Sequence, residues 1–172
     1  VGEEYFTGSL SRSQRISTAM LLICLACTFA VVAVMIVRDS GLVRDALFLL
    51  IPLAPVAVLL AETQRYAPKQ YAVSPDGIAI VRRNGKRIVL PRNEVTAVEA
   101  TEVKRCIRGC GVGGWFGSWG YFWSPALGGF RAYVTDFSKP VLVRTRSKGL
   151  YVVSPDDRDG FVAAANEVLD LG

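Results

Sequence analysis

Six glycines and all three tryptophans of the chain, Trp115, Trp119 and Trp123, fall within RGCGVGGWFGSWGYFW, residues 108–123. Gly109, Gly111 and Gly114 also spell G-x-G-x-x-G. That spacing binds a dinucleotide only between a strand and a helix whose N-terminus meets the pyrophosphate, with an acidic residue about 20 positions on. Here WFGSWGYFW and then Ser124-Pro125 follow, so recurrent glycine and a proline forbid the helix. A Walker-type loop would need Gly-Lys-Ser/Thr after its glycines, which is missing here too. The stretch predicts no nucleotide site, and no cofactor is expected.

Other reactive residues are equally unproductive. The chain has no histidine, which removes the usual general base and metal ligand. Cys24 and Cys27 have redox-like spacing but lie inside an uncharged run, where thiols act as small packing residues. Cys106 and Cys110 alone cannot complete a tetrahedral zinc site. Asp156, Asp157 and Asp159 are the largest acidic cluster, and a helix N-terminus accounts for them. The expectation is therefore no catalytic residue, no metal and no enzyme.

Two groups point instead to binding. Arg82, Arg83, Lys86 and Arg87 flank Asn84-Gly85, a hairpin signal, and so place four positive charges at one tip. Arg144, Arg146 and Lys148 form a second, alternating set. Such charges either contact anionic headgroups or blunt a solvated strand edge. The aromatics have two readings as well: rings that fill a β core while glycine allows sharp bends, or rings resting at a membrane surface. Trp115 and Phe116, flanked by glycine, are the expected exposed pair. Nothing resembles a helix-turn-helix or an RNA-binding aromatic motif, so no nucleic-acid partner is expected.

These residues need elements to hold them, and the chain of 172 residues divides sharply. After a tail, residues 1–15, the segment 16–37 is uncharged and long enough as a helix to cross a bilayer core of about 30 Å. It is too long for a signal-peptide core, and no small-x-small cleavage site precedes the connector. A second uncharged run, 46–61, carries Pro52 and Pro55, which membrane helices tolerate, although a buried or re-entrant segment fits it too. Together the two runs predict a transmembrane helical hairpin, with 62–70 as linker. Arg12, Arg15, Arg38 and Arg44 cancel Glu3, Glu4, Asp39 and Asp45, so the net +5 belongs to residues 62–172.

From Tyr71 the pattern changes to short strands: YAVSPDGIAIVRRNGKRIVLP, then VTAVEATEV, GFRAYVT, PVLVRT and LYVV. In SPDDRDGFVAAANEVLDLG, Ser154 reads as N-cap and Pro155 as first helical residue, and Phe161, Val162, Ala165, Val168 and Leu169 share one apolar face. The fold class is α+β: a transmembrane hairpin, then an antiparallel β-roll or sandwich over 71–172 capped by a C-terminal amphipathic helix.

YAVSPDGIAI, the glycine-aromatic stretch, and FRAYVTDFSKPVLVRT followed by LYVVSPDDRDGF together resemble the bacterial pleckstrin-homology-like domains, from about Tyr71 to Leu169. The resemblance implies a non-catalytic binding or assembly module, often tethered to membrane helices, with no set ligand. Eukaryotic relatives bind phosphoinositides through basic residues in the first turn; here that turn is Ser-Pro-Asp-Gly, so that site does not carry over. The expected partners are the membrane and its anionic headgroups, a protein, or a second copy. The alternative is an accessory subunit of a membrane enzyme or transporter.

Arg65, Lys69, Arg82 and Arg83 follow the second run, and the positive-inside rule then predicts a multi-pass inner-membrane protein with its C-terminal domain cytoplasmic. A reporter active only in the periplasm, fused after Gly172, is expected to stay inactive; strong activity reverses the orientation.

Overall fold

The structure, a computed structural model, describes residues 2–38, 43–103, 106–114 and 116–170. Its elements in chain order are β1 (Glu4–Thr7), α1 (Arg12–Arg38), α2 (Val43–Tyr66), β2 (Pro68–Ser74), β3 (Gly77–Arg82), β4 (Arg87–Pro91), β5 (Val95–Ala100), β6 (Ile107–Val112), β7 (Ser118–Ser124), β8 (Gly128–Val134), β9 (Val141–Thr145), β10 (Gly149–Val153) and α3 (Arg158–Leu169).

Among the described residues, ten strands form two sheets, ordered β1-β2-β3-β4 and β5-β9-β10-β8-β7-β6. The expected antiparallel pattern holds everywhere except between β10 and β8, which are parallel. β9 returns two positions away from β8, and β10 fills the slot as a hairpin partner of β9. The second sheet is apolar on both faces, so β9 and β10 read as runs rather than alternations. Val141, Val143, Tyr151 and Val153 face a core shared with Val73, Ile78, Ile80 and Leu90 of the first sheet. Leu142 and Val152 face a smaller cluster with Phe122, Phe130, Ala132 and Val134.

Helix α3 closes the main core through Phe161, Ala165 and Leu169, all buried. It starts later than expected. Asp157, not Ser154, is the N-cap, accepting the Gly160 N–H at 3.0 Å. Ser154 is buried instead, and its hydroxyl oxygen accepts the N–H groups of Thr135 at 2.8 Å and Asp136 at 3.1 Å. A hydroxyl that satisfies two strand-end amides inside the core is not available to cap a helix.

The boundaries expected for tail and linker both change. Part of the tail is strand β1, paired antiparallel with β2 in the register Glu4↔Val73 to Thr7↔Gln70. Phe6 of β1 is buried edge-on against Phe161, with ring centroids 5.3 Å apart. The linker shrinks to Ala67, because α2 runs to Tyr66 and β2 begins at Pro68. Tail and linker are polar enough to read as connections; the tail strand takes its partner from β2, across the whole helical segment, while Pro68 and Gln70 also pair with β3.

Among the described residues, α1 is the one helix long and apolar enough to cross a membrane by length and composition, and only 11% of its most apolar window is buried. The expected second span, 46–61, falls on α2, where the side chains of residues 43–54 lie outside the described set. The backbone of α2 is helical through Pro52 and Pro55.

A single carboxylate fastens β1. Asp156 accepts hydrogen bonds from the Thr7 hydroxyl at 2.8 Å, the Ser9 amide at 2.9 Å and the Ser9 hydroxyl at 2.6 Å. Its own N–H donates to the Thr7 carbonyl at 2.8 Å. Partial burial works to raise the Asp156 carboxyl, but the Ser9 and Thr7 hydrogen bonds and the charge of Lys139 outweigh it and hold it below its ordinary value of 3.8. The stabilisation is therefore present above that value and lost as pH falls below it. Asp156→Ala is expected to loosen β1 by about 1–3 kcal/mol, the cost of losing hydrogen bonds to a charged group. The protection of the Phe6 amide against exchange, corrected for the intrinsic pH dependence of exchange, checks this: it should fall in the variant, and in the parent only in acid.

Candidate functional site at the junction of α2 and the first sheet

Helix α2 ends against the β3–β4 turn, which caps it. The Asn84 N–H donates to the Arg65 carbonyl at 2.9 Å, and the Arg83 N–H to the Ala67 carbonyl at 3.0 Å. Helix ends leave carbonyls without intrahelical partners, and here strand-turn amides satisfy them. The turn is not the expected two-residue form with two left-handed residues. Only Gly85 has a positive φ, +79°. Gly85 N–H bonds the Arg82 carbonyl at 3.0 Å and Arg82 N–H the Lys86 carbonyl at 2.9 Å, a wider turn closed by a bulge. That width lets its amides face α2.

The four cations of the tip part company. Arg82 turns inward: its guanidinium carbon lies 5.6 Å from the Tyr66 ring centroid and 5.5 Å from that of Tyr133. It ties the last residue of α2 to β8. Arg87 reaches across the outer face of the first sheet to Glu3 at 2.8 Å and to the Tyr5 hydroxyl at 2.8 Å. The Tyr5 hydrogen bond, together with the Glu3 charge, holds its guanidinium above the ordinary value. Arg83 and Lys86 remain exposed. Of the four cations expected at the tip, Arg82 is partly buried, Arg87 is exposed but paired with Glu3, and Arg83 and Lys86 are exposed.

Two residues not placed at the tip by sequence join Arg83. Arg65 from the last turn of α2 and Lys69 from the start of β2 line, with Gln64 and Arg83, an open cavity of about 450 Å³. Their approach to the apolar end of α2 was visible in the sequence; their convergence with Arg83 depends on the turn capping the helix. Arg65 also pairs with Glu62 at 2.9 Å, an exposed helical pair of small energetic weight. In the second basic set, Arg144 pairs with Glu99 at 2.9 Å, while Arg146 and Lys148 are exposed.

The aromatic stretch divides as well. Trp115 lies outside the described residues. Phe116, expected to be exposed, is buried, in a left-handed conformation at φ +56°. Gly114 and Gly117, both at positive φ, let the turn fold its ring inward. Trp119 packs near Tyr66, with centroids 5.9 Å apart, and Phe122 lies in the second core. Trp123 and Tyr121 are exposed, and Trp123 is the cross-strand partner of Ile107, which is also exposed.

Gly109 and Gly111 of the G-x-G-x-x-G lie in β6, and another strand, not a helix, follows. Gly111 pairs with Gly120, and a Cβ on either would collide with the opposite backbone. These glycines permit close strand approach beside a bulge between Arg108 and Cys110. All four cysteines are free; Cys24, Cys27 and Cys110 are exposed and Cys106 packs beside the second core.

The clamp role of Arg82 has a measurable consequence. Arg82→Gln is expected to destabilise the chain by about 1–2 kcal/mol, two cation–π contacts at roughly 0.5–1 kcal/mol each. Lys86→Ser, at an exposed site, should stay within about 0.5 kcal/mol. Melting followed by tryptophan fluorescence reports both, since Trp119 touches Tyr66 at this junction.

Searches of curated proteins and of solved structures give no match for the chain. The family model described as Bacterial PH domain matches residues 69–169, from the first residues of β2 to the end of α3. β1 and both long helices precede the matched region. The two-sheet architecture with its closing helix agrees with that match, and the chain belongs to the bacterial PH domain family.

Proposed function

We propose that the chain is a membrane-anchored, non-catalytic binding module whose PH-like domain is held against the anionic leaflet on the cytoplasmic side. The observation that carries the reading is the pairing of Thr7 with Gln70, on either side of the two long helices. Strands that share a ladder lie on one side of a membrane. A spanning α1, 27 residues and about 40 Å long at 1.5 Å per residue, therefore requires a return crossing, and α2 supplies it. The anchor is then an insertion in the β1–β2 connection.

The headgroup contact in this reading is made by Arg65, Lys69, Arg83 and Lys86, with Arg82 and Arg87 committed to the fold. Each cation near an anionic surface is worth about 1 kcal/mol. Four give at most roughly 4 kcal/mol, a millimolar contact. That is too weak to recruit a free protein. A domain joined to α2 through Ala67 alone is already at the surface, so the contact orients it. The exposed Ile107–Trp123 pair supports a second reading, in which a protein partner docks and the chain is an accessory subunit.

Energy transfer from the tryptophans to a headgroup dye in nanodiscs tests the first reading. Transfer should be greater with anionic lipid at low salt and decline near physiological ionic strength, where the Debye length is about 8 Å. Changing Lys69, Arg83 and Lys86 to Ser should remove the salt dependence. Transfer insensitive to salt in the parent makes this face a solvated surface and moves the search to protein partners.

A further inference from the structure

On the flank of α2 formed by Leu59, Leu60 and Thr63, the tip of the β6–β7 hairpin approaches the helix and leaves a crevice of about 390 Å³. Its two walls differ in chemistry. Leu59, Leu60 and Thr63 form the helical wall; they straddle Ala61–Glu62, where the uncharged run ends. Leu59 is 61% exposed, whereas Thr63 turns its hydroxyl back to the Leu60 carbonyl at 2.8 Å and offers the crevice no free donor. The strand wall is Val112, side-chain-free glycine, and the guanidinium of Arg108.

Arg108 spends little of its hydrogen-bonding capacity on the protein. It makes one long bond, 3.4 Å, to the Gly113 carbonyl, and has no carboxylate partner among the described residues. Guanidinium is a planar donor fork that fits phosphate oxygens in pairs. No acidic residue lines the crevice among the described residues. A cleft with leucine on one wall, and valine and a guanidinium without a carboxylate partner on the other, at the apolar–polar boundary of a helix, has the chemistry of a phospholipid at its glycerol level.

We infer that this crevice holds one glycerophospholipid of the surrounding leaflet, its upper acyl chain along Leu59 and Val112 and its phosphate on Arg108. The inference rests on the anchored reading of α1 and α2, but on none of the residues of the basic face. The glycines have a role here beyond strand pairing. Gly113 is not in a left-handed conformation, and a Cβ there would meet Ser118 Oγ at 3.4 Å and Arg108 Nη1 at 3.6 Å, ordinary contact distances. Its missing side chain is not demanded by the backbone and leaves the space beside Arg108 open.

Native mass spectrometry of the full chain, released from micelles doped with phosphatidylglycerol, tests this. One retained phosphatidylglycerol is expected, and diacylglycerol with the same chains should not be retained. Arg108→Gln should lower occupancy about tenfold, the scale of one charge-assisted hydrogen bond. Gly113→Leu, which fills the space without backbone strain, should do the same at an unchanged melting temperature. Changing Lys69, Arg83 and Lys86 to Ser should leave the adduct in place. The inference is overturned if the parent retains no lipid, or if Arg108→Gln holds it as well as the parent. Loss in the triple Ser variant with full retention in Arg108→Gln would move the lipid to the basic face, sinking the crevice while sparing the anchored module. Release of the chain from membranes by alkaline carbonate would instead remove the anchored reading itself.

Discussion

The pairing of β1 with β2 sets the conditions for the rest of the molecule. A four-residue strand cannot hold itself in water, since ordering its backbone costs more than its few hydrogen bonds return. β1 is retained because Phe6 enters the core against Phe161 and because Asp156 gathers the chain at Thr7 and Ser9. Both contacts come from the segment around α3, the far end of the chain. Gly8 is equally constrained: a Cβ there would press on the Tyr71 ring at 3.0 Å. Tyr71 is buried, with its hydroxyl donating to the Tyr133 carbonyl at 2.7 Å, and burial raises its phenol to about 12 despite the hydrogen bonds of Ser154. The two ends of the helical segment are thus held at neighbouring positions on one sheet.

A fixed exit and a fixed return make the junction with α2 stiff. The helix passes into β2 through one residue, its terminal carbonyls are capped by the β3–β4 turn, and Arg82 is held between Tyr66 and Tyr133. A flexible linker would let the domain sample many orientations. Here the orientation of the domain follows from the axis of α2. Arg65, Lys69 and Arg83 converge for the same reason.

The second sheet shows what glycine contributes beside such a helix. Its β9 and β10 are buried on both faces, and the β6–β7 hairpin extends from it to the flank of α2. The approach of Gly111 to Gly120 narrows that hairpin, and Gly111 and Gly113 line the crevice beside Leu59 and Leu60 together with Val112 and Arg108. Aromatic rings occupy both sides of the same hairpin: Phe122 in the second core, Trp119 against Tyr66, Tyr121 and Trp123 on the surface.

By itself the sequence determined what depends on local period and composition. The uncharged run of α1, the strand spacing after Tyr71, the apolar face of α3 and the failure of G-x-G-x-x-G as a nucleotide turn are all statements about neighbours in the chain, which periodicity and turn chemistry read directly. The partition of the charges was decided only in three dimensions. Four adjacent cations look alike in sequence; Arg82 became a clamp because Tyr66 and Tyr133 arrive from other elements, and Arg87 a surface tie because Glu3 and Tyr5 do. Ser154 and Asp157 exchanged roles at the start of α3 because the amides of Thr135 and Asp136 claimed the hydroxyl. Phe116 turned inward on glycines that sequence read as signs of exposure. The β1–β2 ladder was illegible for a related reason. Four residues carry too little pattern to announce a strand, and their partners lie beyond two long helices, a separation that no local rule spans.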